Sequence, residues 1–426
     1  MSQALLSYED AVALVAAQAA KLALRKPRTE RVALEQAVGR VLARPIIADR
    51  DQPAFARSTR DGFACRAAEI NVAINEKASA HLPLVVAGSS RAGDVPGGPL
   101  PAGAAWEIMT GAPMPSGADA VVMIEHVALK KNHVRLLEPR SLHAGQNVVA
   151  RAAQGRKGDE LLAAGVTLTW AQIALAAACG QSKLAVYARP RVAILTTGDE
   201  IVSVEAKPGP GKIRNSNAPM LAALVAAAGG DPWVLPTAAD NATALDRALR
   251  QARKADLLLI TGGVSAGKFD LVEPALKRLS TRFHFTGVKM QPGKPTIFGE
   301  LPAVEKNQVQ NQNRTKCCCF GLAGNPISSA VTFLLFAAPV LAALAGRAER
   351  GPRFALARLG EGPFRPAKSG LTRFLPAHFD QEGTVSFVPW QGSGDLSALG
   401  LSNCFIVLAP DAPPLKPGAP VRILLS

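Results

Sequence analysis

The chain has 426 residues, of which 48% are hydrophobic and 19% are charged, so it can bury several cores. The length predicts two to four domains, and the composition excludes an intrinsically disordered protein. A formal net charge of +15 favours anionic partners such as phosphates and oxyanions. Its basic residues are scattered and it has only two tyrosines and four tryptophans, which argues against nucleic-acid binding.

Cysteine spacing and the N-terminal sequence favour a cytoplasmic protein. The cysteines form neither a disulfide framework nor a CxxC metal pair, since three are isolated and three are consecutive, namely Cys65, Cys179, Cys404, Cys317, Cys318 and Cys319. The first residues lack the basic and apolar regions of a signal peptide. Residues 330–346 approach the length of a membrane span, but they include Thr332 and Pro339. We predict a buried core helix there and no membrane insertion.

The N-terminal region, residues 1–187, is expected to be a mixed α+β region. Ser7 lies three residues before Asp10 and precedes apolar residues at helical spacing, which is typical of a capped helix. Further helices are predicted over residues 34–43, before Pro45, and over residues 169–179. Between residues 48 and 149, short apolar runs separated by Gly and Pro predict a β-rich segment.

Residues 188–346 show a regular alternation of strands and helices. Strands are predicted over 192–195, 233–235 and 257–260, and helices over 218–228 and 242–253. Such alternation implies parallel pairing with right-handed crossovers. We therefore predict a multidomain α/β protein with a central three-layer α/β/α domain and a mostly parallel sheet. Residues 347–426, with short apolar runs and frequent Gly and Pro, are expected to form a small C-terminal β-domain.

A long hairpin is predicted near the end of the central domain. Residues 295–299 and 317–322 are strand-like and flank residues 305–314, a polar insertion that cannot pack a core and is predicted to be a mobile tip. The consecutive cysteines belong to the second strand. Neighbouring residues of a strand point to opposite faces, so these thiols are expected to pack in the core and not to share one metal ion.

The first strand of the central domain leads into Thr197, Gly198, Asp199 and Glu200. Gly198 permits a tight turn, and carboxylates at the carboxyl end of a strand can hold Mg²⁺ or orient water. A solvated turn capped by an aspartate explains the same residues.

The strand at 257–260 leads into a second glycine-rich loop that contains Gly262, Gly263, Ser265 and Asp270. Glycines and hydroxyls let backbone N–H groups approach a phosphate closely. The loop matches neither GxxxxGK[ST] nor GxGxxG, which argues against a P-loop ATPase and a Rossmann dehydrogenase. Tight strand-to-helix packing, with Asp270 as a helix cap, is the structural alternative.

Two later loops also offer groups for anions. Lys294 lies between Pro292 and Pro295, which suits a fixed cation for an oxyanion, although a surface turn has the same composition. Asn325 and Pro326 form a strand–turn–helix with Ser328, so a helix N-terminus can face a ligand.

The four loops, in this order, resemble those of the molybdopterin molybdenumtransferases, the MoeA family that includes the C-terminal part of gephyrin. In the N-terminal region, residues 58–64 (STRDGFA) look like the family's S-x-M-D-G-Y-A segment, and residues 108–122 are similar to its MTGAP and GADAVV motifs. The resemblance spans nearly the whole chain. It is looser beyond Arg353, where residues 392–396 resemble a GSG loop.

The resemblance implies an enzyme that inserts molybdate into adenylylated molybdopterin and releases AMP with the help of Mg²⁺. Glu200, Asp240 and Asp270 match functional acids of the family. Our hypothesis is that they position Mg²⁺ and the attacking group at the pyrophosphate, because phosphates repel carboxylates unless a divalent cation lies between them. Asp61 and Thr110 match residues of the family's N-terminal region, and Pro326 matches a functional proline.

A second hypothesis places molybdate near Lys294, Ser328, Arg373 and Ser393, since a tetrahedral dianion requires cations and hydroxyl donors. The family pattern also implies a homodimer, in which each site lies between the α/β domain of one subunit and N-terminal residues of the other. Transient contact with other molybdenum cofactor synthesis proteins is expected, whereas nucleic acid and membrane are not expected as partners.

Several positions depart from the family pattern, namely Ala56, Arg57, Arg60, Gln154, Gln291 and Ala323. Arg57 and Arg60 fit either phosphate contacts or solvated loop cations. One alternative function is the related adenylyltransferase, but its usual TGGTG loop is absent because Gly263 is followed by Val264. A non-catalytic scaffold, similar to gephyrin in receptor clustering, is the other alternative.

Overall fold

The computed structural model describes residues 5–25, 27–75, 83–95, 98–264, 271–302, 316–361 and 370–426. The chain divides into two compact units. The first unit comprises Met1–Ala43, Gly165–Thr169 and Lys183–Ser426, and the second comprises Arg44–Ala164 and Trp170–Ser182. The domain boundaries at 187/188 and 346/347 stay predictions.

The helices of the described residues are α1 (Tyr8–Ala23), α2 (Ala67–Asn75), α3 (Trp170–Ala178), α4 (Asn217–Ala227), α5 (Ala242–Ala252), α6 (Val272–Arg278), α7 (Pro326–Thr332), α8 (Ala338–Leu344) and α9 (Leu396–Leu401). The first strands are β1 (Thr29–Ala33), β2 (Ile46–Ile47), β3 (Arg57–Ser58), β4 (Gly62–Cys65), β5 (Leu84–Ser90), β6 (Ala104–Ile108), β7 (Ala120–Met123), β8 (Val127–Lys130), β9 (His133–Leu136), β10 (Val148–Val149), β11 (Glu160–Leu162) and β12 (Lys183–Tyr187). The later strands are β13 (Arg191–Thr196), β14 (Ile201–Val202), β15 (Ile213–Arg214), β16 (Asp231–Val234), β17 (Leu257–Thr261), β18 (Arg282–Phe285), β19 (Met290–Gln291), β20 (Ile297–Pro302), β21 (Lys316–Leu322), β22 (Phe354–Leu359), β23 (Thr372–Phe379), β24 (Thr384–Phe387), β25 (Cys404–Leu408) and β26 (Pro420–Leu425).

A six-stranded sheet in the order β16-β13-β17-β21-β20-β18 forms the centre of the first unit. Strands β16, β13, β17 and β21 pair in parallel, and β20 pairs antiparallel with both β21 and β18. All residues of β17 are buried, as expected of a strand in a sheet that is covered on both faces. The predicted mostly parallel sheet is confirmed.

Alternate residues of each central strand enter different cores. Val192 and Ile194 pack in the core under α1, α4, α7 and α8, whereas Ala193 and Leu195 pack in the core under α5 and α6. Helices therefore cover both faces of the sheet, which confirms the three-layer α/β/α arrangement. At the start of α1, the Asp10 N–H donates to Ser7 Oγ at 3.0 Å, as the sequence pattern predicts.

The apolar segment near residue 340 forms the core helix predicted from the sequence. A π-helical stretch, Phe333–Ala337, joins α7 to α8, so that Pro326–Leu344 is continuous. This is the one helix, within the described residues, that is long and apolar enough to cross a membrane, and 83% of its apolar window is buried inside the protein. It packs in the core beside the central sheet.

The predicted hairpin is formed by β20 and β21, which pair from Ile297↔Gly321 to Pro302↔Lys316. The predicted tip, residues 305–314, lies outside the described residues. Cys317 and Cys319 pack in one core and Cys318 in the other, because successive residues of the strand face opposite ways. All three thiols are buried, which confirms their predicted role in core packing.

The C-terminal residues form a closed β-barrel with strand order β23-β24-β22-β26-β25, which the pairing of β25 with β23 completes. Closure removes the exposed edges that an open sheet would have. Strand β19 joins the outside of this ring by pairing in parallel with β23. The predicted small β-domain is confirmed.

The second unit is built on a six-stranded mixed sheet in the order β7-β4-β6-β5-β9-β8. It confirms the β-rich segment that turns and short apolar runs predict. Helix α3 also lies where helical spacing predicts it.

The helix predicted over residues 34–43 is wrong. Only Leu34–Gln36 are helical, as a single 3₁₀ turn. Gly39 then has φ +75°, which a continuing helix cannot accommodate. Leu42 donates its N–H to Val166 O at 2.9 Å, and Ala43 donates to Ala185 O at 2.9 Å, so the chain is paired in an extended form.

Candidate active site

Three of the loops singled out in the sequence meet at the carboxyl edge of the central sheet. They follow β13, β17 and β21, which are neighbours in the sheet. The Thr197 N–H donates to Thr261 O at 3.0 Å. A Cβ on Gly324 would lie 3.5 Å from Gly262 Cα, so the turn before α7 packs against the glycine turn. Carboxyl edges of such sheets are where α/β proteins bind ligands.

Gly262 and Gly263 are both in the left-handed region, with φ +97° and +60°. A Cβ on Gly262 would collide with the carbonyl oxygen of Thr197 and approach its Oγ1 at 2.9 Å. The Thr197 hydroxyl is buried and has no hydrogen-bond partner among the described residues. A free hydroxyl beside a tight glycine turn is suited to a phosphate. Ser265 and Asp270, predicted for this loop, lie outside the described residues.

Acidic residues surround the turn after β13. The backbone N–H of Asp199 donates to Asp240 Oδ2 at 3.3 Å, and the N–H of Asp240 donates to Asp199 Oδ1 at 3.0 Å. Glu200 is adjacent, and its carboxylate oxygens would lie 2.5 and 2.7 Å from a Cβ on Gly198. The structure therefore brings the predicted acids Asp199, Glu200 and Asp240 to neighbouring, exposed loops.

Lys212 also reaches this group, because its Nζ donates to Asp199 O at 2.6 Å. Lys212 is not among the site residues predicted from the sequence. It lies 13 positions away in a glycine-rich and proline-rich loop, where a lysine gives no local signal.

The carboxylates of this edge fit a hydrated magnesium ion by their chemistry, since Mg²⁺ prefers oxygen ligands and keeps several waters. Within the described residues, however, no three His, Cys, Asp or Glu side chains are grouped closely enough to hold a metal ion. Asp270, the third acid of the predicted set, is outside those residues. The metal role of Glu200, Asp240 and Asp270 stays a prediction.

A buried polar network that sequence analysis missed lies beneath the glycine turn. Asn217 Nδ2 donates to Thr261 Oγ1 at 2.9 Å and to Gly324 O at 2.6 Å. Thr261 Oγ1 is also 3.2 Å from Ser329 Oγ, which donates to Ala323 O at 2.5 Å. The sequence signal for this network is that Asn217, Thr261 and Ser329 are polar residues in or at the ends of otherwise apolar helices and strands.

A second group of polar side chains lies where β19 pairs with β23. This pairing places Gln291 opposite Arg373. Gln291 lies three positions before Lys294 in the chain. Three buried atoms here lack hydrogen-bond partners among the described residues: Gln291 Oε1, Thr372 Oγ1 and Arg373 Nε. Burial lowers the pKa of the Arg373 guanidinium. Lys294 is exposed, so this edge presents two cations and unpaired polar atoms.

The start of α7 connects the remaining predicted residues. Asn325 Nδ2 donates to Ser393 Oγ at 2.8 Å, and the Ile327 N–H donates to Ser393 O at 3.0 Å. Pro326 occupies the first turn of α7, where proline is tolerated. Ser328 is buried in that turn. The structure thus brings the loop of Ser393 against the Asn325–Pro326 turn.

The Lys294 loop also contacts α7. A Cβ on Gly293, which has φ +101°, would collide with the Thr332 methyl. Thr332 in turn donates its hydroxyl to Ser328 O at 2.7 Å. Lys294, Ser328 and Ser393 are therefore held around the first two turns of one helix.

Asp61 and Thr110 meet within the second unit. Both the N–H and the hydroxyl of Thr110 donate to Asp61 Oδ1, at 2.6 and 2.8 Å. These hydrogen bonds, the backbone one first, lower the pKa of the Asp61 carboxyl. A Cβ on Gly62 would collide with Val122 O, so the motif needs glycine there. The two predicted residues are therefore joined at the surface, with the Asp61 carboxylate ionised.

Three family models match successive parts of the chain. The MoeA N-terminal region (domain I and II) matches residues 6–180, the probable molybdopterin binding domain matches residues 193–343, and the MoeA C-terminal region (domain IV) matches residues 364–426.

Curated relatives match over most of the chain. The molybdopterin molybdenumtransferase of Synechococcus elongatus is 33% identical over 98% of this chain and 99% of its own. That of Bacillus subtilis is 33% identical over 94% of this chain and 90% of its own. The Nostoc sp. enzyme is 38% identical over 75% of this chain and 70% of its own.

A solved structure shows the same fold. The molybdopterin biosynthesis moeA protein from Pyrococcus horikoshii OT3 has a TM-score of 0.78 and 28% identity, and covers 99% of this chain and 100% of its own. Matches to the N-terminal and C-terminal regions argue against the adenylyltransferase alternative. The three relatives above are named molybdopterin molybdenumtransferase, which favours the enzyme over the scaffold alternative. The chain therefore belongs to the molybdopterin molybdenumtransferase family, transferases of molybdenum cofactor biosynthesis.

Proposed function

We propose that this chain inserts molybdate into adenylylated molybdopterin and releases AMP, with Mg²⁺ as the metal. The observation that carries the proposal is the meeting of three sheet-edge turns beside Asp199, Glu200 and Asp240, at a Thr197 hydroxyl that has no partner among the described residues. Backbone N–H groups and a hydroxyl bind phosphate oxygens, and acids beside them serve a ligand only with a bridging cation.

The pyrophosphate of the substrate is assigned to the turn of Gly262 and Gly263. Water supplies the oxygen that bonds to the adenylyl phosphorus as the bridging P–O bond breaks. AMP leaves with that oxygen, molybdopterin keeps its own phosphate, and the protons of the water pass to solvent. Glu200, Asp240 and Asp270 would hold Mg²⁺, which when bound neutralises charge on the phosphate oxygens. The mutual backbone hydrogen bonds of Asp199 and Asp240 keep the two acidic loops together.

Molybdate is assigned to the groups around α7. Lys294 and Arg373 supply positive charge, and Ser328 and Ser393 supply hydroxyls. Support comes from the buried Arg373 Nε, which has no acceptor among the described residues and can donate to an oxyanion. Asn325 holds Ser393 at 2.8 Å and so fixes one of these hydroxyls.

We further propose a cytoplasmic homodimer in which Asp61 and Thr110 of one subunit complete the site of the other. The proposal is supported by the exposed Asp61, because a carboxylate that is kept ionised by two hydrogen bonds from Thr110 suits a polar ligand. Mixing inactive Asp61→Ala and Asp240→Ala proteins tests this. Mixed dimers contain one intact site and should regain activity, whereas no regain after proven subunit exchange contradicts a shared site.

The reaction is tested in a cell that lacks the molybdate insertion step. The wild-type gene should restore molybdoenzyme activity, and Asp270→Asn, expressed at the same level, should not. Failure of the wild-type protein to restore activity, with soluble expression shown, would contradict the proposed reaction.

A further inference from the structure

Asn217 occupies an unusual position for a polar residue. It is the first residue of α4 and is only 8% exposed. The amide reaches two other segments, 44 and 107 positions away in the chain. These segments are the end of β17, at Thr261, and the turn before α7, at Gly324.

Both segments lead directly into proposed substrate-binding turns. Thr261 precedes Gly262 and Gly263, which are assigned to the pyrophosphate. Gly324 precedes Asn325 and Pro326, whose turn holds Ser393. The Asn217 amide therefore joins the two turns by two hydrogen bonds, one to Thr261 Oγ1 at 2.9 Å and one to Gly324 O at 2.6 Å.

The chemistry of the contacts requires an amide. Gly324 O is an acceptor, so a carboxylate in place of the amide would face it without a proton to donate. Serine or alanine would be too short to bridge the two turns. Thr261 has further contacts with Ala323 and Ser329, so it keeps hydrogen bonds when the amide is lost, whereas the link to Gly324 is broken.

The acceptor atom of the same side chain gives a second observation. Asn217 Oδ1 is buried and has no hydrogen-bond partner among the described residues. The buried Thr197 hydroxyl, which lies close to Gly262, likewise has no hydrogen-bond partner among the described residues. Buried polar atoms are normally paired, and an exception is explained by strain, by a functional role or by a bound water or ion. Both atoms belong to residues that lie next to this turn.

We infer that Asn217 is a positioning residue of this site, whose amide sets the spacing between the Gly262–Gly263 turn and the Gly324–Asn325 turn and thereby the affinity for the pyrophosphate-linked substrate. The inference rests on the proposed function. Asn217 itself transfers no group in the reaction and acts through the two turns it joins.

The test compares Asn217→Asp with wild type in binding of adenylylated molybdopterin without molybdate, in kcat and KM for AMP release, and in Tm. We expect Kd and KM to rise about tenfold or more, which corresponds to about 1.4 kcal/mol, with a smaller change in kcat. Asn403→Asp is the control for the same chemical change, because the Asn403 amide also donates to a backbone carbonyl, that of Phe379 in the barrel. It should lower Tm without changing Kd.

A Kd for Asn217→Asp within about twofold of wild type would overturn the inference. If that variant does not fold, Asn217→Ala is used, since it removes both hydrogen bonds of the amide without adding a charge. A raised Kd then supports the inference and an unchanged Kd overturns it. If wild type binds the ligand but releases no AMP, the proposed reaction fails while the comparison of Kd values still decides the role of Asn217.

Discussion

Replacement of Gly262 by alanine should lower stability more than replacement of Gly39 by alanine, and only the Gly262 variant should lose substrate binding. Both glycines have positive φ, +97° and +75°, so each alanine incurs roughly 1–2 kcal/mol of backbone strain. A Cβ on Gly39 meets nothing within 4 Å, whereas on Gly262 it collides with the Thr197 carbonyl and lies 2.9 Å from its hydroxyl. Overpacking of this kind adds about 2 kcal/mol.

Thermal unfolding and substrate binding measure the difference between these variants. The Tm of Gly262→Ala should lie roughly 4–8 °C below that of Gly39→Ala, from about 2–4 °C per kcal/mol. Gly262→Ala should also lose binding of adenylylated molybdopterin, and Gly39→Ala should keep it. Equal Tm values would refute the predicted steric clash with Thr197, and wild-type affinity in Gly262→Ala would refute the assignment of the pyrophosphate to this turn.

Four further outcomes are expected. Lys294→Ala should raise the molybdate concentration for half-maximal activity roughly tenfold, from loss of a charged hydrogen bond of about 1.5 kcal/mol; an unchanged molybdate dependence would argue against the oxyanion assignment. Burial lowers the pKa of His284 from 6.5, so its contribution to stability is complete above that pH and is lost as pH falls through the folded value; Tm between pH 8 and 5 should fall more steeply in wild type than in His284→Asn. Glu300 is buried and accepts from Gln18 and from Lys316 at 3.0 Å, so Glu300→Ala should cost about 1–3 kcal/mol in denaturant unfolding and Glu300→Gln clearly less; equal losses would contradict a role for the carboxylate contacts. Burial raises the pKa of Cys318 to about 12, so iodoacetamide should label this thiol only after unfolding; rapid labelling of the native protein would be inconsistent with its buried position.

The central sheet could be predicted because most of its strands are short, continuous apolar runs that alternate with helical segments of ten or more residues. Leu257–Thr261, for example, is buried throughout and follows a helix with a clear polar face. Such segments satisfy local propensity and tertiary packing together. The alternation of the cysteines between two cores follows from the same strand geometry.

Residues 34–43 show where local pattern was insufficient. Their apolar spacing suits a helix, but Leu42 and Ala43 bond to backbone groups more than 120 positions away. Those partners satisfy the backbone in an extended form, so tertiary pairing overrides the local preference. Gly39, with its positive φ, was the local signal against a helix.

Apart from Lys212, the residues of the candidate site that lie in loops were predicted from the sequence, whereas the buried Asn217 was not. Asp199, Glu200 and the glycine turn stand in short motifs, and their proposed roles were predicted from the composition of those motifs. Asn217 stands at the start of an apolar helix, where an asparagine is usually read as a helix-capping residue. Its partners are distant in sequence, so only the folded chain shows what it holds together.

The most direct test of the proposed function measures two products in one reaction of the purified protein. Adenylylated molybdopterin, molybdate and Mg²⁺ are supplied, and AMP release and molybdenum bound to the pterin are quantified together. The two products should form in equal amounts, and Asp240→Asn should slow both by about tenfold or more. Molybdenum bound to the pterin without AMP release, or equal rates for wild type and Asp240→Asn, would contradict the account.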